Sequence, residues 1–222
     1  GNYAHFKKTL RDCMEPGYLI SMDIHDFKII NSICGIIKGD ETLKNIWRCI
    51  EKSLTSKDLA GHINADRFAI YCRCDDKNEV IECIHKIGEG LKDITEALKI
   101  PNIIPYYGIS HWKHGKKVEE AYSEANFAKN QVKDRKDISY QFYSHEDTLK
   151  ILENRAMEDE FAGAIANGQF EIWYQPKYNP VDNKLVGAEA LVRWRGGDGK
   201  LISPARFIPL FEKDGLIKTL DE

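Results

Sequence analysis

The spacing of apolar residues changes along the chain, and each change marks a predicted element. The run at residues 18–22 is short and continuous, which predicts a buried strand ending near Asp23. Apolar residues at helical spacing follow from Phe27, and Gly35 is a typical helix stop. A second helix is predicted to restart near Asp40, which can cap it, with a buried stripe over residues 43–54.

Further changes of period predict the rest of the first part of the chain. Alternating runs on both sides of Asn64 and Ala65 predict a β-hairpin over residues 59–73. A long amphipathic helix is predicted over residues 80–98, and strands at 103–110 and 138–143 enclose a helix near 118–132. Pro105 indicates an edge position or a bulge in its strand. This alternation of strands and helices is typical of an α/β domain.

Both ends of the chain also show clear patterns. The first residues predict a helix that ends near Cys13 and that Asn2 can cap. In the second half, a helix is predicted over residues 145–167. It leads into a strand at 170–177, a turn region, and a second strand at 185–194.

Composition limits the number of domains, the kinds of ligand and the cellular setting, but it does not identify the function. With 222 residues and 42% hydrophobic content, the chain can form one large domain or two smaller ones. With a net charge of −3, the chain lacks the excess positive charge that attracts a nucleic-acid backbone, so nucleic-acid binding is not expected. Six cysteines without a CxxC pair, and no leader or membrane-length apolar run, indicate a reducing cytosol. Cys72 and Cys74 share a strand face, but no second pair completes a metal site.

The stretch over residues 23–43 reads DIHDFKIINSICGIIKGDETL. It resembles the GGDEF diguanylate cyclases, whose pattern has the form DxDxFKxxNDxxGHxxGDxxL. The matching positions are Asp23, Phe27, Lys28, Asn31, Gly35, Gly39, Asp40 and Leu43. Three positions depart from the pattern, because His25 and Ser32 replace aspartates and Ile36 replaces a histidine. The resemblance implies a central, mostly antiparallel sheet flanked by helices.

The predicted hairpin falls where that family carries its signature, which here reads Asn64-Ala65-Asp66-Arg67-Phe68. Glycines at the first two places allow positive φ and close phosphate approach, whereas Ala65 tolerates that conformation poorly. Asp66 keeps a carboxylate that, with Asp23, could hold Mg²⁺ or Mn²⁺. Arg67 puts a cation where the family has an acid, so no catalytic residue is expected in this domain. Without the upstream match, these residues would be an ordinary polar turn.

By the same resemblance, Asn31 and Asp40 would hydrogen-bond a guanine edge, with Asn64 and Ala65 close to the nucleotide. Lys129 and Lys133 fall in the family's AKxxGRN segment, which grips phosphates, although a solvated basic face is an equal alternative.

The family's inhibitory product site, an RxxD, corresponds here to Thr55-Ser56-Lys57-Asp58. The arginine that would grip a guanine or a phosphate is missing, so product inhibition through this site is not expected. The alternative is a solvated turn.

A second resemblance begins near residue 170. The chain carries YQP at 174–176, GAEALVRW at 187–194 and SPARFIPLFE at 203–212, as do the EAL cyclic di-GMP phosphodiesterases. That resemblance implies that Glu189 is a metal ligand. It also implies that Gln175, Leu191 and Arg193 contact the cyclic dinucleotide.

The two resemblances predict three segments: a GGDEF-like domain at 1–143, a linker helix at 144–168 and the start of an EAL domain at 169–222. The last segment would hold only the first strands and helix of a (β/α) barrel, which closes only with all its strands. We therefore expect this chain alone to have no phosphodiesterase activity, since Glu189 cannot hold a metal pair unaided.

Two functions stay open at this point. The first is a cyclase-inactive, regulatory GTP-binding module for an EAL phosphodiesterase of cyclic di-GMP. The alternative is a working diguanylate cyclase that makes cyclic di-GMP from two GTP. The implied ligands are GTP and cyclic di-GMP, a homodimer stays open, and a membrane would be reached only through upstream segments. The expected location is the cytoplasm, or the cytoplasmic part of a membrane-anchored parent.

Overall fold

The computed structural model describes residues 3–13, 15–113, 115–135, 137 and 139–221. The predicted cap Asn2 and the first residue of the predicted closing strand, Ile138, lie outside the described residues. The chain divides into two compact units, Gly1–Ser144 and His145–Glu222. None of the helices in the described ranges combines the length and apolarity needed to cross a membrane.

The first unit combines five helices with five strands in its described residues. The helices are α1 (Tyr3–Cys13), α2 (Phe27–Cys34), α3 (Ile36–Ser53), α4 (Lys77–Leu98) and α5 (Val118–Val132). The strands are β1 (Gly17–Ile24), β2 (Leu59–Asn64), β3 (Arg67–Cys72), β4 (Pro105–Trp112) and β5 (Tyr140–Phe142).

These strands form one sheet in the order β2-β3-β1-β4-β5. All neighbours are antiparallel except β4 and β5, which run parallel, so the predicted mostly antiparallel sheet is confirmed. Strand β1 is central, and the side chains on its two faces pack into two separate hydrophobic cores, which explains its continuous apolar run. Ile20 packs in the core with α3 and α4, whereas its neighbour Leu19 packs in the core with α1 and α5.

Two local predictions were wrong in detail. Asp40 is not a cap, because α3 already begins at Ile36. The reason is Gly35, whose φ of 84° reverses the chain within one residue and leaves no linker before the next helix. Pro105 marks neither an edge strand nor a bulge. It is the first residue of β4, an interior strand, where its missing N–H costs the ladder least.

The second unit contains α6 (His145–Ala166), β6 (Phe170–Tyr178), β7 (Leu185–Arg195), β8 (Leu201–Ile202), α7 (Pro204–Asp214) and α8 (Ile217–Asp221). Its strands pair antiparallel in the order β6-β7-β8. An aromatic core holds it together, with Phe161 of α6 and Phe211 of α7 only 4.7 Å apart between ring centroids. The helix predicted as a linker therefore packs within this unit, through Phe161 and Met157.

Candidate nucleotide site

The predicted pair of carboxylates lies at one end of the first sheet. Strand β1 pairs with β3 so that Met22 faces Phe68, which brings Asp23 beside the turn that carries Asp66. The pKa of Asp66 is raised to about 6, first by burial and then by the charge of Asp23. Two carboxylates this close repel each other unless a cation or a proton joins them.

A lysine supplies part of that positive charge. Lys129 on α5 donates a hydrogen bond from Nζ to Oδ2 of Asp23 at 3.0 Å, and its side chain is only 3% exposed. Gly108 permits this approach, because a Cβ there would collide with the carbonyl oxygen of Ala125 and the backbone of Lys129. The solvated basic face considered for Lys129 is therefore excluded, whereas Lys133 at the helix end is exposed.

Two aromatic side chains complete the wall beside the carboxylates. Tyr106 stands opposite Asp23 in the pairing of β1 with β4, and its pKa is raised by burial and by the charge of Asp23. Its ring lies 5.8 Å from Nζ of Lys129 and 4.3 Å from the ring of His25. Sequence reasoning missed Tyr106, since only the strand register, which no local pattern encodes, brings it to Asp23.

The hairpin turn adopts the strained geometry that its sequence suggested. Ala65 has φ of 47°, a left-handed conformation that costs a residue with a Cβ about 1 kcal/mol. Its carbonyl oxygen lies 2.6 Å from Nε2 of His62. Asn64 and Arg67 are paired residues on either side of the hairpin turn, and both are exposed. Burial raises the pKa of Asp66 and of Tyr122 on α5, and the charge of nearby Arg67 partly opposes both shifts.

A cleft of about 680 Å³ lies beside Asp23, Asp66 and Tyr106. Five of the predicted site residues line it, namely Asp23, Asn31, Ala65, Asp66 and Lys133, and so does His25, which departs from the family pattern. Asn31 is held against α3 because residue 39 is glycine, since a Cβ there would strike its amide oxygen.

Asp40 is separated from this group. It lines an adjacent cavity of about 690 Å³ together with Trp47 and His62. The structure therefore brings Asn31, but not Asp40, to the carboxylates.

The segment that corresponds to the predicted RxxD position has a structural role in this chain. Oδ2 of Asp58 accepts hydrogen bonds from the backbone N–H and the hydroxyl of Thr55, at 2.8 and 2.7 Å. Its other oxygen accepts from the N–H of Arg73 at 2.9 Å. Both carboxylate oxygens thus hold the turn into β2 and the end of β3.

In the second unit, the predicted residues lie on the pair formed by β6 and β7. Glu189 stands opposite Gln175, and its Oε2 lies 2.9 Å from Nζ of Lys177, which lowers the pKa of Glu189. Leu191 and Arg193 follow at two-residue intervals and therefore share the strand face of Glu189. The guanidinium of Arg193 lies 5.7 Å from the ring of Trp173.

The donor set at the cleft suits a hard cation in combination with phosphates. Within the described ranges, no group of three or more His, Cys, Asp and Glu side chains could hold a metal by itself. Mg²⁺ commonly binds one or two carboxylates plus substrate phosphates, and Asp23 with Asp66 meets that requirement. Burial and, after it, the charge of Asp23 raise the pKa of Asp66 to about 6, so a bound cation would relieve part of the repulsion between the two carboxylates.

Comparison with known families gives two matches along the chain. The model of the diguanylate cyclase GGDEF domain matches residues 3–138, and that of the EAL domain matches residues 158–222.

Two curated relatives from Pseudomonas aeruginosa match nearly the whole chain. The cyclic di-GMP phosphodiesterase NbdA is 28% identical over 98% of the chain, and the bifunctional diguanylate cyclase/cyclic di-GMP phosphodiesterase MucR is 25% identical over 92%. The chain spans less than a third of their lengths, 28% and 30% respectively.

Solved structures give the same picture of the fold. The GGDEF domain of YfiN from Pseudomonas aeruginosa matches with a TM-score of 0.59 at 20% identity, over 68% of this chain and 94% of that one. The S helix-GGDEF-EAL region of LapD from Vibrio cholerae, bound to c-di-GMP, matches over 96% of this chain and 51% of that one. Its TM-score is 0.57 at 18% identity.

Proposed function

Because this chain belongs to the GGDEF–EAL family of cyclic di-GMP signalling proteins, we propose that its first unit is a regulatory GTP-binding module without cyclase activity. The observation that carries the proposal is the cleft. Its lining retains Asp23, Asp66 and Lys133, which suit a metal-bound nucleotide, but also contains Ala65, where the family signature has glycine. In this proposal the nucleotide is a signal and not a substrate.

The retained residues account for binding. Asp23 and Asp66 would hold Mg²⁺ or Mn²⁺, which would supply positive charge to the triphosphate. Asn31 would contact the guanine edge from the cleft wall, and exposed Lys133 at the rim would meet a phosphate. Lys129 acts indirectly, because its ammonium group is engaged with Asp23.

The altered turn accounts for the lost synthesis. Cyclisation requires two GTP-loaded sites to face each other with near-ångström alignment. Ala65 places a Cβ on the cleft wall where the family has glycine, and its φ of 47° fixes that Cβ in a strained turn. Arg67 replaces the family's acid with a cation. Both changes act at the point where the reacting groups would have to meet.

Calorimetry with GTP and ATP tests the binding. In the presence of Mg²⁺ we expect weak binding of GTP. The affinity for ATP should be lower by a factor of roughly ten or more, because a guanine-specific site leaves polar groups unpaired when adenine binds. Asn31→Ala should remove the preference, while Glu41→Ala on the neighbouring helix α3 should keep it. Equal response to both nucleotides, or none, would overturn the proposal.

A cyclase assay tests the other half of the proposal. Purified protein with GTP and either Mg²⁺ or Mn²⁺ should give no cyclic di-GMP. A triple variant, Asn64→Gly with Ala65→Gly and Arg67→Glu, restores the family signature and serves as the matched comparison. Product from the unaltered chain would refute the proposed loss of synthesis.

A working cyclase stays as the second candidate, favoured by the retained cluster of Asp23, Asp66 and Lys129. MucR, one of the relatives, is described as bifunctional. If the unaltered chain makes cyclic di-GMP and Asp66→Asn abolishes it, this second function is correct.

For the second unit we propose the substrate-binding start of a cyclic di-GMP phosphodiesterase, the activity named for NbdA. Glu189 would be one metal ligand, with Gln175, Leu191 and Arg193 facing the dinucleotide. The test uses a longer protein that carries this chain within a full-length EAL domain. Hydrolysis should be lost in Glu189→Ala and should change with GTP. Activity that survives Glu189→Ala would refute the metal role, and indifference to GTP would refute only the regulation.

A further inference from the structure

A pair of cysteines lies away from the nucleotide cleft, at the other end of β3. Cys72, the last residue of β3, and Cys83 on α4 place their sulfur atoms 3.7 Å apart. A disulfide has an S–S distance of about 2.05 Å, so the sulfurs would have to approach by roughly 1.7 Å.

We propose that Cys72 and Cys83 form a redox-modification site, a thiol pair that hydrogen peroxide oxidises reversibly to a disulfide. In the first step the thiolate of Cys83 attacks the peroxide. The O–O bond breaks, one oxygen leaves as water after protonation, and Cys83 becomes a sulfenic acid. In the second step the sulfur of Cys72 attacks that of Cys83, the S–S bond forms and a second water leaves. The peroxide is reduced by two electrons, and a dithiol reductant restores both thiols.

The environments of the two sulfurs decide which one reacts first. Cys72 is only 4% exposed within the core, whereas Cys83 is partly buried at its edge. Cys72 donates its S–H toward Cys83, which lowers the pKa of Cys83 and raises that of Cys72, and nearby Lys86 also lowers the pKa of Cys83. The charge of Asp58 opposes ionisation of both thiols. Cys83 is thus the accessible nucleophile, and Cys72 is the resolving thiol.

The neighbouring cysteines are engaged differently. Cys74 directs its sulfur to the carbonyl oxygen of Cys72, and burial with the charge of Glu79 raises its pKa to about 12. Cys49 on α3 directs its sulfur to the carbonyl oxygen of Ile87 at 3.6 Å, and burial raises its pKa. Neither has the combination of a nearby second sulfur and a favoured thiolate that Cys83 has.

The test is peroxide treatment of the folded, fully reduced protein, followed by digestion without reductant and peptide mapping by mass spectrometry. We expect a mass loss of about 2 Da, a peptide linking Cys72 to Cys83, and reversal by dithiothreitol. Two of the six cysteines should lose their reactivity toward a thiol reagent in denaturant. The same treatment of unfolded protein is the control, and it should give a mixture of pairings.

Variants identify the order of events. Cys83→Ser should abolish the crosslink, and Cys72→Ala should leave a sulfenic acid on Cys83 that dimedone traps. Cys74→Ser, two residues along the chain from Cys72, should leave the crosslink unchanged. If Cys72→Ala does not fold, the Cys83→Ser variant, at a half-buried position, and the peptide map of the unaltered protein still test whether Cys72 and Cys83 form the disulfide. A crosslink between Cys74 and Cys83, sulfenic acid first on Cys72, or unreacted thiols at 72 and 83 would overturn the proposal.

Discussion

Lys129 and Asp23 form a nearly buried ion pair, with Nζ 3.0 Å from Oδ2 and side chains that are 3% and 15% exposed. This pair joins α5 to the central strand β1, which are far apart in the sequence. A charge buried to this extent is tolerated only with a partner. The pair therefore couples the stability of the first unit to the residues of its candidate metal site.

Removing the lysine tests this coupling. Lys129→Met keeps the aliphatic volume but leaves the carboxylate of Asp23 without its partner, so we expect the free energy of unfolding to fall by about 2–4 kcal/mol. Adding Asp23→Asn should recover much of that loss, since neither charge of the pair then remains. Urea denaturation of the single and double variants measures both effects.

Lys133, the residue that follows the last residue of α5, provides the matched control. Lys133 is exposed, so Lys133→Met should change stability by less than about 0.5 kcal/mol. Equal losses in Lys129→Met and Lys133→Met would show that the ion pair contributes nothing specific.

The sequence was sufficient to place Asp23 and Asp66 near each other, because a strand and a hairpin are local patterns and the motif spacing fixed their register. It also indicated the strain at Ala65, because the resemblance puts alanine at a place where the family has glycine. It did not reveal that Lys129 pairs with Asp23, since that contact depends on how closely α5 packs on β4. Gly108 controls this packing, and nothing local to Lys129 encodes it.

Helical spacing in α2 does not by itself show which apolar residues are buried. Ile33 continues the apolar spacing of Phe27 and Ile30, yet it is 67% exposed while the other two are buried. The helix has only eight residues and ends at the Gly35 turn, so its last apolar position no longer faces the sheet. Spacing gives the face of a helix, but a reversal after two turns decides whether that face is covered.

Relieving the strained turn should stabilise the protein. Ala65→Gly removes the cost of a Cβ at φ of 47°, partly offset by the greater freedom of glycine in the unfolded chain. We expect a gain of about 0.5 kcal/mol in the free energy of unfolding. Ala60→Gly, in the regular strand β2, lacks that relief and should lose about 0.5–1 kcal/mol. Thermal denaturation that ranks the two variants in the opposite order would refute the strain at residue 65.

Closing the space at Gly108 should damage the site from a distance. In Gly108→Ala the new methyl group collides with the backbone of Ala125 and Lys129, so α5 must move away from β4. We expect a loss of about 1–3 kcal/mol in stability and weaker nucleotide binding in calorimetry. Gly88→Ala on α4 meets open space and should instead gain about 0.5–1 kcal/mol, as alanine favours the helix. Unchanged stability in Gly108→Ala would show that this close packing is not required.

The raised pKa of Asp66 makes a prediction for the metal-free protein. Its pKa rises from 3.8 to about 6 on folding, so the protonated form favours the folded state. The contribution is therefore full below about pH 4 and is lost as pH rises through about 6. A shift of two units corresponds to at most about 3 kcal/mol, and solvent screening of this partly exposed group reduces it to about 1 kcal/mol. Asp66→Asn cannot titrate, so between pH 4 and pH 7 its stability should improve relative to the unaltered protein by that amount. Denaturation at the two pH values, without divalent cations, measures the difference, and parallel pH profiles would show that Asp23 and burial do not perturb Asp66.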